Sequence, residues 1–458
     1  MKTLLLAAAA AVLTAASPAA AADLGANAAA LRDKALSDTT AWNVLESLTT
    51  EVGGRQVGSA AMTRAKDWGV AKLQSLGFEN VHVEPFVTGA WLRGEESAEV
   101  VVPYPHKLAI LGLGNSTPTP AGGLEGEIVL YRSYAAFLAA PPEAAKGKIV
   151  VVTGRMVRAQ DGSGYGAINA QRTRGPAEAA KRGAVAYLLR SLSTDDTRLP
   201  HTGTAAPGGI PAAALSTVDA ELLEHMADRG QPIRIRLNLQ STYNPKAQAW
   251  NVVGELKGRE KPDEVLVVGG HLDSWDPGTG AIDDGSGVAI ATAAAKLAAS
   301  AHPRRTIRVV MWGSEEQGGS GEAYGAAHKA ESPNLVVAGE SDLGAGHIWS
   351  LSVPKNSLSH PAMKAFTAAI TPLKVIVTPT APRFGGSDIE GLMTNGVPFV
   401  DFNQDASRYF DLHHSADDTL DKVDPAELAQ NVAVWTAFLY SVADSDIDFR
   451  ALAAQESK

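Results

Sequence analysis

Cysteine is absent from all 458 residues, which excludes disulfides, thiolate nucleophiles and cysteine-type zinc sites together. Long basic runs are absent too: 40 Lys and Arg stand against 50 Asp and Glu, a formal net charge of −10. An acidic chain without a cationic stripe suits phosphate backbones poorly, so nucleic acid is not expected as a partner. No Gly-x-Ser-x-Gly elbow and no His-Glu-x-x-His helix occurs, which argues against a serine hydrolase and a single-zinc protease. Beyond residue 22 no apolar run is long enough to span a bilayer. What remains is a globular composition, 45% hydrophobic and 20% charged, in a chain long enough for two or three domains and a large core.

The N-terminus reads as a secretory signal. Lys2 is the basic residue, Leu4 to Ala15 the apolar run, and Ala20-Ala21-Ala22 the small residues before Asp23. Cleavage near Ala22 removes one Lys and no acid, moving the net charge from −10 to −11, and implies export to a periplasm or the medium. Two helical stretches follow, about Asn27 to Thr50 and Ala60 to Leu76, then a strand at Val81 to Phe86. Leu113 to Gly126 is rich in Gly, Pro and Thr and marks a boundary.

From about 110 to 245 short strands (Glu127 to Leu130, Lys148 to Val152, Ala184 to Leu189) surround an Ala-rich helix at Pro176 to Arg182. No titratable cluster there has metal-like or nucleophilic spacing, so this part reads as a packing or lid domain. From Asn251 onward, continuously apolar strands alternate with helices: Val265 to Val268, Gly287 to Ala299, Thr306 to Met311, Leu335 to Ala338, Ala362 to Ile370, Val397 to Asp401 and Pro425 to Ala443. That alternation predicts an α/β fold, a mixed, mainly parallel sheet covered by helices, with ligands at the carboxyl ends of the strands.

Polar residues fall at those ends. His271-Leu272-Asp273 follows the first strand and Asp283-Asp284-Gly285 lies 12 residues beyond His271; Glu315-Glu316 follows the second strand and Glu340-Ser341-Asp342 the third; His413-His414 comes near the end. Each piece alone has a bland reading as a cap, a turn or a solvated helix start. Together they are imidazole and carboxylate donors without thiols, which suits zinc or a similar divalent ion. A two-metal centre needs one shared carboxylate with an imidazole and a further carboxylate on each side, and the inventory meets that need.

These motifs resemble the co-catalytic di-zinc aminopeptidase family, above all its plasma glutamate carboxypeptidase (carboxypeptidase Q) branch. The matching pieces are Gly270 to Trp275, Gly280 to Gly285, Glu315 to Gly319, Glu340 to Asp342 and His413 to Ser415. Arg174 to Ser191, Pro200 to Gly203 and Ile210 to Ala212 are similar to the protease-associated domain inserted in that branch. The resemblance implies a signal at 1–22, peptidase-domain segments at 23–110 and 246–458, and a β-rich protease-associated insert at 111–245. It implies two Zn2+ per chain, with Asp283 bridging, His271 and Asp342 on one ion, and Glu316 and His414 on the other. Glu315 would be the general base, Asp273 the carboxylate that fixes the His271 tautomer, and Asp418 its counterpart behind His414.

One departure concerns the residue before the last histidine. Some relatives carry a Tyr whose hydroxyl supports the oxyanion; here it is His413. Gly386 and Ser387 lie in a stretch similar to one that lines the family's substrate cleft. The implied activity is hydrolysis of small unblocked peptides, as a dipeptidase, aminopeptidase or carboxypeptidase Q-like enzyme, and the family suggests a homodimer. A general aminopeptidase and a glutaminyl-cyclase-like transferase on a related fold are the alternatives; a non-catalytic receptor of this architecture has no need of the full donor set.

Overall fold

A computed structural model describes residues 18–455. The export signal read at 1–22 therefore lies, up to residue 17, outside the described residues, and its last five residues open the helix Pro18–Ala35. No helix among the described residues is long and apolar enough to cross a membrane. The helix expected from Asn27 to Thr50 is two, Pro18–Ala35 and Thr40–Glu51. The break follows from Ser37-Asp38-Thr39, since the Asp38 carboxylate accepts from the Thr40 amide at 2.8 Å and starts a new helix there. A third helix, Ala60–Ser75, is capped by the Ser59 hydroxyl.

The next element is far longer than its sequence signal: strand β1 runs over Glu79–Val102. Short strands β2 (His106–Leu108) and β3 (Ile110–Gly112) precede β4 (Leu124–Tyr131), β5 (Ile149–Val152), β6 (Ala186–Arg190) and β7 (Ala212–Leu215). The equally long β8 (Arg234–Leu256) pairs antiparallel with β1 along its length, Pro85 opposite Trp250 and Val100 opposite Ile235. Then come β9 (Lys261–His271), β10 (Arg305–Trp312) and β11 (Leu335–Glu340), followed by β12 (Ile348–Ser352), β13 (Ile376–Thr378) and β14 (Asp401–Gln404) in a separate three-stranded sheet. The stretch expected as a strand at Val397 to Asp401 joins β11 only through a bridge at Phe399 and becomes regular at Asp401.

The large sheet has the order β11-β9-β10-β8-β4-β5-β6-β7-β3. It is mixed: β9 is parallel to β10 and β11, and β4 to β7 are parallel to one another, while β8 is antiparallel to both β10 and β4. Because β10 pairs with β8 at residues 252–256 and β4 pairs with it at 234–237, the β1/β8 ribbon carries one sheet at each end. The division placed at 245/246 falls inside β8, so the backbone of the two parts is continuous there.

Burial explains the unbroken apolar strands. In β9 and β10, Leu266, Val268, Ile307, Val309 and Met311 pack into the core under the helices Ser286–Ala299 and Pro425–Ala443. The alternate residues Val265, Val267, Val310 and Trp312 pack on the other face with Tyr324, Ile389 and Leu392. The segment 111–245 is built the same way. Ile149, Val151, Ala186 and Leu188 face the helix Thr217–Ala227, and Val150, Val152, Tyr187 and Leu189 face Phe137 and Ala179. It is thus a covered α/β layer rather than a β-rich one, because strands buried on both faces need helices on both.

Candidate metal centre and its cleft

Strands β9, β10 and β11 run in parallel, so their carboxyl ends share one rim. His271 is the last residue of β9 and is fully buried. Asp283 lies in the irregular turn Ala281–Gly285 that leads into the helix Ser286–Ala299. Glu315 and Glu316 follow β10, and Asp342 follows β11 by two residues. His413 and His414 arrive on the loop after the short turn Tyr409–Asp411.

Asp283 sits between the two imidazoles, one oxygen toward each. Its Oδ1 lies 3.1 Å from His271 Nε2 and its Oδ2 lies 3.1 Å from His414 Nε2. His271 Nε2 is also 3.5 Å from Asp342 Oδ1, and His414 Nε2 is 3.0 Å from Glu316 Oε2. The five residues expected as metal ligands thus lie together around Asp283, and the donor sets close enough to hold one ion are His271, Asp283 and Glu316; His271, Asp284 and Asp342; and Asp283, His413 and His414. Asp283 Oδ2 and Glu316 Oε1 are buried without a hydrogen-bond partner of proper geometry, an arrangement that is costly unless a cation fills it.

Electrostatics point the same way. Burial pushes the Glu316 carboxyl up to about 7, although the neighbouring His414 opposes this. Glu315 is raised well above the usual carboxylate range by burial and then by the charge of Asp342, and Asp342 is itself raised by burial. Burial disfavours a charged His414, but Glu316 and Asp283 outweigh it and lift the imidazole to about 9. Carboxylates this crowded stay ionised together only when positive charge is supplied, and a divalent cation reverses each of these shifts. The residues therefore fit divalent cations held by buried imidazoles and carboxylates.

The supporting residues differ from expectation in an instructive way. The Asp273 carboxylate lies at the outer limit of hydrogen bonding to His271, Oδ1 to Nδ1 3.5 Å, and has further work elsewhere. The Asp273 carbonyl oxygen meets His271 Nδ1 at 3.0 Å, while the carboxylate accepts from the backbone N–H groups of Glu315 and Glu316 at 3.0 and 3.3 Å. Asp418 does not stand behind His414; its carboxylate accepts from the Ile282 and Asp283 amides at 2.6 and 3.3 Å and holds the turn that carries Asp283. The acceptor behind His414 is the carbonyl of Thr202, 3.3 Å from Nδ1. His414 has φ +61, a left-handed conformation uncommon for any residue other than glycine. The Thr202 amide secures it from the other side by donating to the His414 carbonyl at 3.1 Å.

Several functional neighbours carried no signal in the sequence. Arg55, fully buried, donates to the carbonyls of Leu272, Thr279 and Gly280 and so ties the two ligand-bearing loops together. Asp284, by contrast, belongs to the Asp283-Asp284-Gly285 motif, and it spends its oxygens on the amides of His271 and Gly287, at 3.0 and 2.9 Å. A cavity of about 530 Å3 opens above the carboxylates, and Tyr165, Asn169, Arg172 and Thr204 of the segment 111–245 form one wall. That segment was expected only to pack or to cover; it also lines the site. Ser387 also lines the cavity, whereas Gly386 does not. With φ +121 it lets the loop lie against Glu340, where a Cβ would stand 1.9 Å from Oε2. His413 stacks on His414 with ring centroids 3.4 Å apart and its Nε2 is 3.6 Å from Asp283 Oδ2. Burial, then the charge of His414, depresses its basicity strongly, which favours a neutral imidazole.

Comparison with known proteins agrees with this geometry. Residues 251–439, which hold the whole donor set, match Peptidase family M28. The chain is 38% identical over 407 residues to carboxypeptidase Q of Bos taurus, covering 87% of this chain and 84% of that protein. It is similar to the solved structure of a peptidase M28 precursor from Shewanella amazonensis SB2B, with a TM-score of 0.90 at 41% identity over 93% of this chain and 98% of that one. The fold is also that of a zinc aminopeptidase from Bacillus subtilis, with a TM-score of 0.65 at 19% identity over 89% and 97% of the two chains. A carboxylate placed between two imidazoles at the rim of a helix-covered sheet, in a chain this similar over this length, makes the protein a member of peptidase family M28.

Proposed function

We propose that this M28 peptidase is an exported two-zinc exopeptidase that hydrolyses small peptides with unblocked ends. The observation that carries the reading is Asp283, with one oxygen 3.1 Å from His271 and the other 3.1 Å from His414, at the floor of a cavity that Glu315 also lines. On this reading His271, Asp283 and Asp342 hold one ion and Asp283, Glu316 and His414 the other. When bound, the ions supply Lewis acidity, withdrawing charge from a peptide carbonyl and lowering the pKa of water toward about 7.

The rest of the chemistry falls to the protein. Glu315 accepts the proton of the attacking water on its carboxylate and returns it to the leaving amine. Asp273 keeps Glu315 and Glu316 in register through their amides, so that base and ligand move as one unit. His413, buried beside Asp283 and favoured as neutral, is placed to donate to the developing oxyanion. The small-peptide specificity is supported by the likeness to carboxypeptidase Q, export by the signal-like residues 1–22, and a protease-associated role for the insert by its place on the cleft.

The test is an assay of the purified chain on unblocked dipeptides, N-blocked dipeptides and longer peptides, before and after chelation and with zinc added back. Zinc-restored cleavage confined to short unblocked peptides is expected. Cleavage of long free-amine peptides at equal rates would shift the reading to a general aminopeptidase. No cleavage with two ions bound would overturn it in favour of the related transferase chemistry.

A further inference from the structure

The cavity wall contributed by the insert holds one charged group that the scheme above leaves idle. Arg172, in the short helix Ala170–Thr173, is 6% exposed. Its Nη1 donates to the Thr202 carbonyl at 3.3 Å, its Nη2 to the Tyr165 hydroxyl, and its Nε has no partner. Among the described residues no carboxylate pairs with it. The guanidinium lies against the Tyr165 ring, 5.3 Å from the centroid, and over Gly203, where a Cβ would stand 2.2 Å from Nη1. A buried guanidinium with open donors and no counter-charge costs stability, and such a cost is commonly met by a ligand.

The charge distribution around it names that ligand. Besides the histidines beside Asp283, the other ionisable groups on the cavity wall are Asp283, Glu315, Glu316 and Asp342, all acidic. An anion that enters is repelled by every one of them that is not covered by metal, and Arg172 is the one fixed positive side chain on the wall that lies outside the metal-binding set. Asn169, one helical turn earlier on the same wall, has a buried amide oxygen without a partner. It can accept a peptide N–H next to such an anion.

We propose that Arg172 is the anchor for the free C-terminal carboxylate of a short peptide, with Asn169 beside it, so that the insert selects free-acid peptides and limits their length. This rests on the peptidase reading above. Guanidinium and carboxylate match as a two-point, charge-assisted pair, and Arg is the side chain suited to that geometry. A C-terminal amide offers neither the charge nor both acceptors.

The experiment compares the full zinc-loaded chain with its Arg172→Gln and Arg172→Lys variants on one dipeptide and its C-terminal amide, with zinc content and melting temperature measured for each. For the parent, kcat/KM is expected to favour the acid. In Arg172→Gln the acid-to-amide ratio should fall on the order of 10- to 100-fold, chiefly through KM for the acid; Arg172→Lys should retain part of the preference. A ratio unchanged by either variant would overturn the proposal. An equal loss on both substrates with reduced zinc content would overturn it too, and assign Arg172 to supporting Thr202 behind His414. A parent that cleaves acid and amide alike refutes only the anchor, whereas a parent that cleaves neither with two ions bound refutes the peptidase reading itself.

Discussion

At one end of the β1/β8 ribbon the strands finish in His271, in Trp312 just ahead of Glu315 and Glu316, and in Glu340 ahead of Asp342; at the other end they finish in hydroxyls. There Thr153 and Ser191 follow β5 and β6, and Ser216 follows β7 and caps a helix by accepting from the Asp219 amide at 3.0 Å. Both sheets bury their strands on both faces, so the difference is not one of construction. At the first end several buried carboxylates and imidazoles crowd together with open valences; at the second the polar groups serve mainly the backbone, Arg190 at the end of β6 donating to the Thr217 carbonyl, and Tyr131 at the end of β4 leaves one neutral hydroxyl without a partner. A covered parallel sheet thus offers the same rim twice. What makes one rim a site is donor chemistry that the protein alone does not complete.

The comparison breaks most visibly at Glu315. If the first rim is the reacting one, Glu315→Gln should keep both metal ions, since Glu315 is in neither ligand group, while kcat falls by roughly 10²- to 10⁴-fold. Metal analysis beside steady-state kinetics checks this. Turnover near the parent's would remove Glu315 as the base and leave the charge asymmetry between the rims without its main consequence.

The insert is not a bystander, however, and a smaller effect should show it. The His201 ring nitrogen Nδ1 lies 2.6 Å from the His413 carbonyl, and Thr202 grips His414 on both sides. These contacts cross between the two parts and hold a ligand-bearing loop in an uncommon backbone conformation. His201→Ala should weaken zinc binding about 10-fold, the lower range for groups that orient a ligand, with the fold retained. Competition against a chelator measures it. Unaltered affinity would reduce the insert to a wall of the cleft, with no part in shaping the ligand set.

Much of this was legible in the sequence, and the boundary of legibility is physical. The helix Pro425–Ala443, the strands around Val268 and Val309 and the donor set at their ends are local: apolar runs, caps and motif spacings carry them. The ribbon is not local. Residues from Val81 to Ser97, exposed or half-buried except for Ala90 and Trp91, carry no clean alternation, and only pairing with β8 makes them one strand. The same holds for the site's second layer. That Asp273 would also bind two amides, or that the acceptor for His414 would be a backbone carbonyl 212 residues away, depends on backbone groups that every residue has. Arg172 was invisible for the opposite reason, since one Arg beside another, Arg174, is ordinary until its missing partner is seen.

The smallest effect sharpens the contrast between charges left open and charges closed by the protein itself. Away from the cleft, His328 Nε2 lies 2.9 Å from Glu84 and Nδ1 lies 2.7 Å from Glu331, which also pairs with Arg308 at 2.7 Å. Burial disfavours a charged His328, but the bonds to Glu331 and Glu84 outweigh it and raise the imidazole to about 9; the bond from His328, then that from Arg308, holds Glu331 near 2. A raised histidine stabilises the fold fully below its unfolded pKa of about 6.5 and loses that contribution as pH rises through 9; a depressed carboxyl contributes above about 4.5 and loses its share only as pH falls through 2. The network should therefore be strongest between about pH 4.5 and 6.5. His328→Gln should cost about 1 kcal/mol there, after allowance for partial exposure, and the gap in stability from the parent should shrink toward pH 9. Urea unfolding of both proteins at pH 6 and pH 9 reads that gap. A gap that stays constant or widens with pH would mean that His328 is neutral in the folded chain, and that the protein closes this network by hydrogen bonds without charge.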